Sequence, residues 1–506
     1  MSDALPSALS TRLADVLAVD PGAPALEFER SWWTWGQLAE TVAHAGALVG
    51  EPGAEVGILL RNRPASVGLL LGVLAAGGCV VTINPGRGRD RTRDDIAALD
   101  LPVVAGEPSD LSELVPDGSR ATVAAASELG QPFVVTPGPA REQGAGRPGV
   151  AVRPGVAVRM LTSGTTGPPK RVDLGYRMLE RVLAGAKHYE TNRDDTVRLR
   201  SGVAIVHSPL VHLGGLFRVL QCASDGRSFC LLERFTVDGW ADAVRRHRPA
   251  TASLVPAALR MVLDADLPAA DLSSIRSVVS GTAPLSPDDA DAFMERYGIP
   301  VLVTYAATEF GGSVAGWNLE DHRTYWPAKR GSVGRAHAGC ELRVVDAGSG
   351  QTVAAGVEGV LEVKAGQLGN DDWVRTTDLA HLDADGFLYI HGRADQAIIR
   401  GGFKVRPDDI KAALERHPSV RGAAVVSRED QRLGAVPVAV VELRPGAEAV
   451  SADDILAYAS TALARYELPA EIHVVDGLPR TESGKVDLFS VHALLNDMFD
   501  SEAAGR

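Results

Sequence analysis

The chain has only four cysteines in 506 residues, Cys79, Cys222, Cys230 and Cys340, widely spread and with no CxxC pair. Neither a zinc site nor a disulfide framework is indicated, and a reducing, cytoplasmic compartment is expected. No GKS or GKT occurs anywhere, which counts against the P-loop of kinases and GTPases. Long apolar runs are missing too. The strongest, Val67 to Ala76, is about ten residues, half of what a bilayer crossing takes, so no membrane span is expected. Met1 to Leu17 carries Asp3 and Asp15 without a long apolar core, and no signal peptide is expected. There is no Lys/Arg-rich run, and the formal net charge of −13 makes nucleic acid a poor partner, although a local basic pocket for an anionic ligand stays open.

What is present is ordinary globular composition, 45% hydrophobic and 23% charged, in a chain long enough for about three domain-sized units. Between apolar strand-like stretches at Val156–Leu161 and Val172–Leu174 stands Thr162-Ser163-Gly164-Thr165-Thr166-Gly167-Pro168-Pro169-Lys170. Two glycines let backbone N–H groups converge, four hydroxyls add donors and a lysine adds charge, a combination suited to a polyphosphate. Pro168 and Pro169 keep the following chain out of a helix. Alone, such a cluster fits an ordinary loop as well as a nucleotide site.

Leu9, Leu13, Val16 and Leu17 recur at helical spacing, and Trp32, Trp33 and Trp35 are expected in the core ahead of a helix around Leu38–Leu48. Val56–Leu60, Ala65–Ala76 and Cys79–Ile83 read as a β-α-β unit of a covered parallel sheet. Gly144-Ala145-Gly146-Arg147-Pro148-Gly149 satisfies G-x-G-x-x-G by letter, but Pro148 stands where a helix should begin, so a linker is expected there. Short strands and helices then alternate up to Val301–Tyr305. From Val333 closely spaced strands point to a β-rich subdomain, in which Asp383-Ala384-Asp385-Gly386 is a hairpin turn rather than a calcium loop. The last hundred or so residues read as a compact α+β unit, with Ser451 and Asp454 capping a helix that runs towards Arg465. Lys485 follows on a Gly/Ser-bearing loop.

Taken in order from about Trp33 to Lys485, these stretches resemble the acyl-adenylate-forming superfamily of acyl- and aryl-CoA synthetases, nonribosomal peptide adenylation domains and beetle luciferases. The resemblance implies an α/β fold: a large N-terminal domain (1–394) of α/β subdomains plus a β-rich subdomain, and a small mobile α+β C-terminal domain (395–506) with its hinge at Asp395. Residues 162–170 resemble TSGTTGxPK, which implies that the hydroxyls, Gly164, Gly167 and Lys170 hold ATP phosphates; Arg171 replaces the usual glycine and could alter loop closure or add a phosphate contact. His207-Ser208-Pro209-Leu210-Val211-His212 with Gly214-Gly215 resembles the segment that gates the carboxylate pocket, placing His212 there. Ser280-Gly281-Thr282-Ala283-Pro284-Leu285 resembles GGAPL, so Gly281, Thr282 and Ala283 would lie along adenine and substrate. Thr304-Tyr305-Ala306-Ala307-Thr308-Glu309 resembles YGxTE, which implies Tyr305 on adenine, Thr308 on the α-phosphate and Glu309 on magnesium, with Ala306 for the usual glycine. Arg375-Thr376-Thr377-Asp378 resembles RTGD, with Asp378 on the ribose and Thr377 for glycine. Ile390-His391-Gly392-Arg393-Ala394-Asp395 resembles the GRxD element, with Ile390 on adenine and Arg393 on ribose or phosphate. Gly401-Gly402-Phe403-Lys404 would enter the site after rotation, Gly402 shaping a thiol tunnel, and Lys485 matches the catalytic lysine.

The activity so implied is an ATP-dependent, magnesium-assisted ligase that makes an acyl-adenylate and passes the acyl group to coenzyme A. A free-standing adenylation enzyme serving an acyl carrier protein and a non-catalytic nucleotide-binding scaffold are the alternatives. His212, Gly214, Gly215, Gly281, Ala306, Ala307, Gly311, Gly312 and Val314 are small or apolar and are expected to line the acid pocket, which predicts a hydrophobic aryl or alkyl acid.

Overall fold

The computed structural model describes residues 7–139, 152–162, 170–186, 196–401, 403–430, 432–447, 450–481 and 484–504. The expected phosphate-loop residues Ser163 to Pro169, the linker at 144–149 and Gly402 lie outside that set.

Glu55–Leu59 and Cys79–Ile83 are parallel neighbours inside a seven-stranded sheet, joined by helix Pro64–Ala75. That helix is apolar all round and is buried from Pro64 to Leu74, as a crossover helix must be when it is covered on both faces. Pro64 starts it at a position that needs no N–H. It lies so close to helix Trp35–Gly46 that a Cβ on Gly72 would sit 2.5 Å from the Val42 carbonyl oxygen. Helix Ala8–Leu17 turns Leu9, Leu13, Val16 and Leu17 into the same core. Of the three early tryptophans, Trp35 is fully buried, Trp33 is half-buried and Trp32 is 40% exposed. Trp32 therefore departs from the expected core position. It meets the His247 ring edge-on at the surface.

At the far edge of this sheet, Val156–Thr162 and Lys170–Gly175 pair antiparallel, with Thr162 opposite Lys170. The strand after the two prolines is the outcome their sequence demanded. A second sheet takes parallel strands Thr251–Ser253, Ser277–Ser280 and Val301–Ala307 and then antiparallel Gly312–Gly316 and Arg335–Ala336. The expected β-rich region is the antiparallel sheet of Cys340–Val345, Gly359–Ala365, Val374–Leu382 and Leu388–Arg393. The Asp383 carboxylate accepts from the Asp385 and Phe387 N–H groups, both at 2.9 Å, and pairs with Lys329. That closes the expected hairpin turn.

The C-terminal unit is a sheet of Phe403–Val405, Ile398–Arg400, Gly434–Leu443 and Val420–Asp430, extended by Glu471–Val475, with helices Pro407–Glu415, Ala452–Ala459 and Leu488–Ala504. Ser451 and Asp454 form the predicted reciprocal cap. The helix stops at Ala459 instead of reaching Arg465, because the Ser460 and Thr461 hydroxyls turn back onto the carbonyls of Ala457 and Tyr458 at 2.6 and 2.7 Å. Polar contacts join this unit to the rest. Arg260, paired with Asp289 (Nε to Oδ2, 3.0 Å), donates to the Arg421 carbonyl, and Asp264 faces Arg421 at 3.3 Å and Arg444 at 3.5 Å. Arg406 pairs with Glu358 at 2.5 Å.

Candidate active site

Two adjoining clefts open where the C-terminal unit meets the large body, and both are lined by His212, Thr304, Arg393 and Lys485. Strand Val301–Ala307 runs straight into a 3-10 turn, Thr308–Phe310, which ends at Gly311 with φ +71°. Tyr305 faces one cleft, and Thr308 and Glu309 face the other. The left-handed step at Gly311 favours glycine by its φ and brings it against the Met178 side chain, whose Cε lies 2.3 Å from where a Cβ would stand.

Sheet register places Asp378 opposite Arg393 on neighbouring strands. The Tyr305 hydroxyl donates to the Asp378 carboxylate, and Thr376 Oγ1 accepts the Asp378 N–H at 3.0 Å. Burial pushes the Asp378 carboxyl above the usual carboxylate range, while the Tyr305 hydrogen bond and the Arg393 charge pull it back. Arg393 is itself paired with Asp395 at 2.7 Å. Ile390 and Ala283 line the same cleft, Thr377 is exposed beside Asp378, and Ala306 lines both clefts.

His212 stands at the N-cap position of helix Leu213–Asp225 without a side-chain capping bond, and its Nε2 is buried with no hydrogen-bond partner among the described residues. Burial, with Lys485 adding to it, pushes this imidazole down to about 4, so it is neutral in ordinary conditions. An unpaired buried ring nitrogen costs about 1–3 kcal/mol unless a ligand meets it. His207, by contrast, has Nε2 bonded to the Ser253 carbonyl at 2.7 Å and is a satisfied core histidine.

Lys485 reaches this cleft from the C-terminal unit. Arg480 and Val486 form an antiparallel bridge, the Thr481 N–H donates to the Lys485 carbonyl at 2.7 Å, and Gly484 lies against Val255 and Ala257 of the large body. The side chain stays open to the cleft, but surrounding protein still lowers the ammonium from the ordinary lysine value, with Glu309 opposing that shift. The C-terminal lysine, the neutral His212 and the Glu309 carboxylate thus meet in one space.

The remaining predicted residues differ in their placement. Gly281 packs behind the wall, where a Cβ would stand 2.8 Å from Thr304 Cγ2. Thr282 lines both clefts and holds φ +73°, a strained left-handed conformation for a β-branched residue. Val314 is fully buried in the core beside Phe310, so it does not line an acid pocket. Lys170 is exposed on its strand. Arg171 does not point at a phosphate: it donates to Asp95 at 2.6 Å and to the Thr82 carbonyl at 2.9 Å, which ties the hairpin to the sheet. Sequence reasoning missed Ser313, His337 and Gln367, which line the Glu309 cleft. No motif marks them.

Residues 13–369 match the family described as AMP-binding enzyme and residues 409–485 match the AMP-binding enzyme C-terminal domain, so the chain belongs to the AMP-binding enzyme family. It is similar to an indoleacetate–CoA ligase of Aromatoleum aromaticum, 33% identical over 66% of this chain and 66% of the relative. It is also similar to 4-coumarate–CoA ligase 1 of Oryza sativa subsp. japonica, 31% identical over 64% of this chain and 60% of the relative. The matches therefore span slightly less than two thirds of these relatives' length. In fold it resembles ATP-bound MatB from Rhodopseudomonas palustris, with TM-score 0.78 and 22% identity over 98% of this chain and all of that one. Among the described residues no helix is long and apolar enough to cross a membrane.

Proposed function

We propose that the chain is an ATP-dependent carboxylic acid:coenzyme A ligase, built as a large domain, 1–394, and a C-terminal domain, 395–506, that turns about Asp395. The observation that carries this is Lys485, delivered by the C-terminal unit into the cleft that holds Glu309 and the unpaired Nε2 of His212. In this reading a carboxylate oxygen of the acid attacks the α-phosphorus of ATP, an acyl-adenylate forms and pyrophosphate leaves. Lys485 and Thr308 face the charge that builds on the phosphoryl oxygens. His212, being neutral, donates or accepts a hydrogen bond at the acid's carboxyl without competing for its charge. Tyr305, Ile390 and Ala283 wall the adenine, and Asp378 and Arg393 take the ribose. Glu309 and Thr308 offer hard oxygen donors that fit magnesium, which when bound neutralises the triphosphate.

The thiol of coenzyme A then attacks the mixed anhydride and AMP departs, after Lys485 has moved away with its domain. The names of the relatives, an indoleacetate and a 4-coumarate ligase, support an aryl acid. The four cysteines are free, in keeping with a cytoplasmic enzyme. ATP–pyrophosphate exchange over a panel of acids, followed by thioester formation with coenzyme A, tests the reading. Exchange without transfer to coenzyme A would favour delivery to a carrier protein, and no exchange on any acid would leave a nucleotide-binding scaffold.

A further inference from the structure

The Glu309 cleft is not the wholly apolar pocket that its glycines suggest. Val182, Leu213 and Phe217 give part of its lining an apolar character. The lining also carries Ser313, His337 and Gln367 in a connected polar strip. Ser313 Oγ lies 2.8 Å from His337 Nε2 and also bonds Thr304 Oγ1, while the Gln367 Nε2 group donates to the Ser313 carbonyl at 3.5 Å. The imidazole of His337 is held tightly, since a Cβ on Gly316 would lie 2.7 Å from its Cε1, and burial lowers its protonation below the ordinary range. The strip is thus uncharged.

Gln367 is the member with capacity to spare. Its amide makes two contacts, the one to Ser313 and one in which the Cys340 thiol meets Oε1 at 3.5 Å. The bond to Ser313 is long and the thiol contact is ordinary for a sulfur donor, so these two contacts account for one of the amide's two N–H donors and one of its carbonyl's two acceptor sites, on a residue that lines the cleft. Its backbone is fixed. Gln367 sits on the 3-10 turn Gly366–Leu368, anchored by the Gly366 N–H to the Gly339 carbonyl at 2.9 Å, and a Cβ on Gly366 would collide with that oxygen at 2.4 Å. A half-satisfied amide on a rigid turn is a reader of polar groups rather than packing. Of the carboxylates on this cleft, Glu309 acts on Lys485, Asp395 is paired with Arg393, and Asp487 follows Lys485 by two residues.

We infer that Gln367, backed by Ser313 and His337, is a specificity-determining residue that selects aryl acids bearing an uncharged hydrogen-bonding group, such as a ring hydroxyl, on the side away from the carboxylate. The inference rests on the ligase reading only in placing the carboxylate at the Lys485 and His212 end. Arg181, exposed on the same cleft beside Gly369, offers the competing chemistry of an anionic tail.

Binding separates these without turnover. Dissociation constants for benzoate and cinnamate and for their 4-hydroxy and 4-carboxy counterparts, measured by titration calorimetry on the full chain and on Gln367→Leu, give the ratios needed. The 4-hydroxy acid of at least one pair is expected to bind about tenfold tighter than its parent. In Gln367→Leu that ratio collapses to within about twofold while the parent acid binds as before. Equal binding of every hydroxylated and parent pair, a preference retained in Gln367→Leu, or tighter binding of the 4-carboxy acid would overturn the assignment. Pyrophosphate release on the same acids is read in parallel: the predicted ratios with no release on any acid would sink the ligase reading and leave the pocket assignment standing.

Discussion

The Tyr305 hydroxyl donates to the Asp378 carboxylate, although the two residues lie on strands of different sheets and 73 positions apart. The bond orients the acid and holds its ionised form against burial, so it prepares a negative acceptor where ribose hydroxyls are proposed to bind.

Tyr305→Phe keeps the ring and removes that donor. The Asp378 carboxyl, already raised by burial, then loses its main counterweight and protonates more readily. ATP affinity should fall with decreasing pH from a higher midpoint than in the parent enzyme. Titration of ATP binding against pH in both proteins checks this, and coincident profiles would show the bond to be idle.

Lys485→Ala should slow adenylate formation by orders of magnitude, a barrier increase of ~3–4 kcal/mol. Thioester formation from supplied acyl-adenylate should persist. Because the ammonium is lowered from its ordinary value, adenylation in the parent should decline on the alkaline side before a free lysine would titrate. His212, at about 4, should add no break near the ordinary histidine value. Single-turnover pyrophosphate release from about pH 5 to about pH 10 reads both limbs.

Thr282→Gly should raise stability by about 1 kcal/mol, because φ +73° strains threonine and suits glycine. Adenylation should weaken if the hydroxyl contributes at the cleft wall. Urea denaturation supplies the first quantity and kcat/KM the second. An unchanged denaturation midpoint would mean the strain is relieved in some other way.

Arg171→Ala should cost about 2 kcal/mol, since it leaves the largely enclosed Asp95 without its partner. KM for ATP should move little, because the guanidinium is engaged with Asp95 and Thr82 and not with the loop. A large rise in KM at unchanged stability would return Arg171 to the phosphate site.

How much could be read beforehand depended on how local the cause was. The Glu55–Leu59, Pro64–Ala75, Cys79–Ile83 unit was legible because continuous apolar runs and a leading proline act within a few residues. The Ser451 and Asp454 cap was legible for the same reason. The role of Arg171 stayed open between loop closure and a phosphate contact because its partner, Asp95, is 76 residues away. The strip of Ser313, His337 and Gln367 was invisible because it is assembled from separate elements, with 24 residues between the first two and 54 between Ser313 and Gln367. Val314 was misplaced since alternation along Gly312–Gly316 turns it inward and its neighbour Ser313 towards the cleft.

The seam formed by Arg260, Asp264, Arg421 and Arg444, with Arg406 and Glu358 beside it, would give solution ions a hold on the proposed two-step cycle. Ion pairs at a solvent-reached boundary lose much of their attraction as the screening length shrinks to about 8 Å at physiological salt and further above it. Raising ionic strength should therefore shift the proposed pose with Lys485 in the cleft towards domain departure. If the proposed reaction holds, dilute buffer should favour its adenylate-forming half, and added salt should help the half proposed to need domain departure.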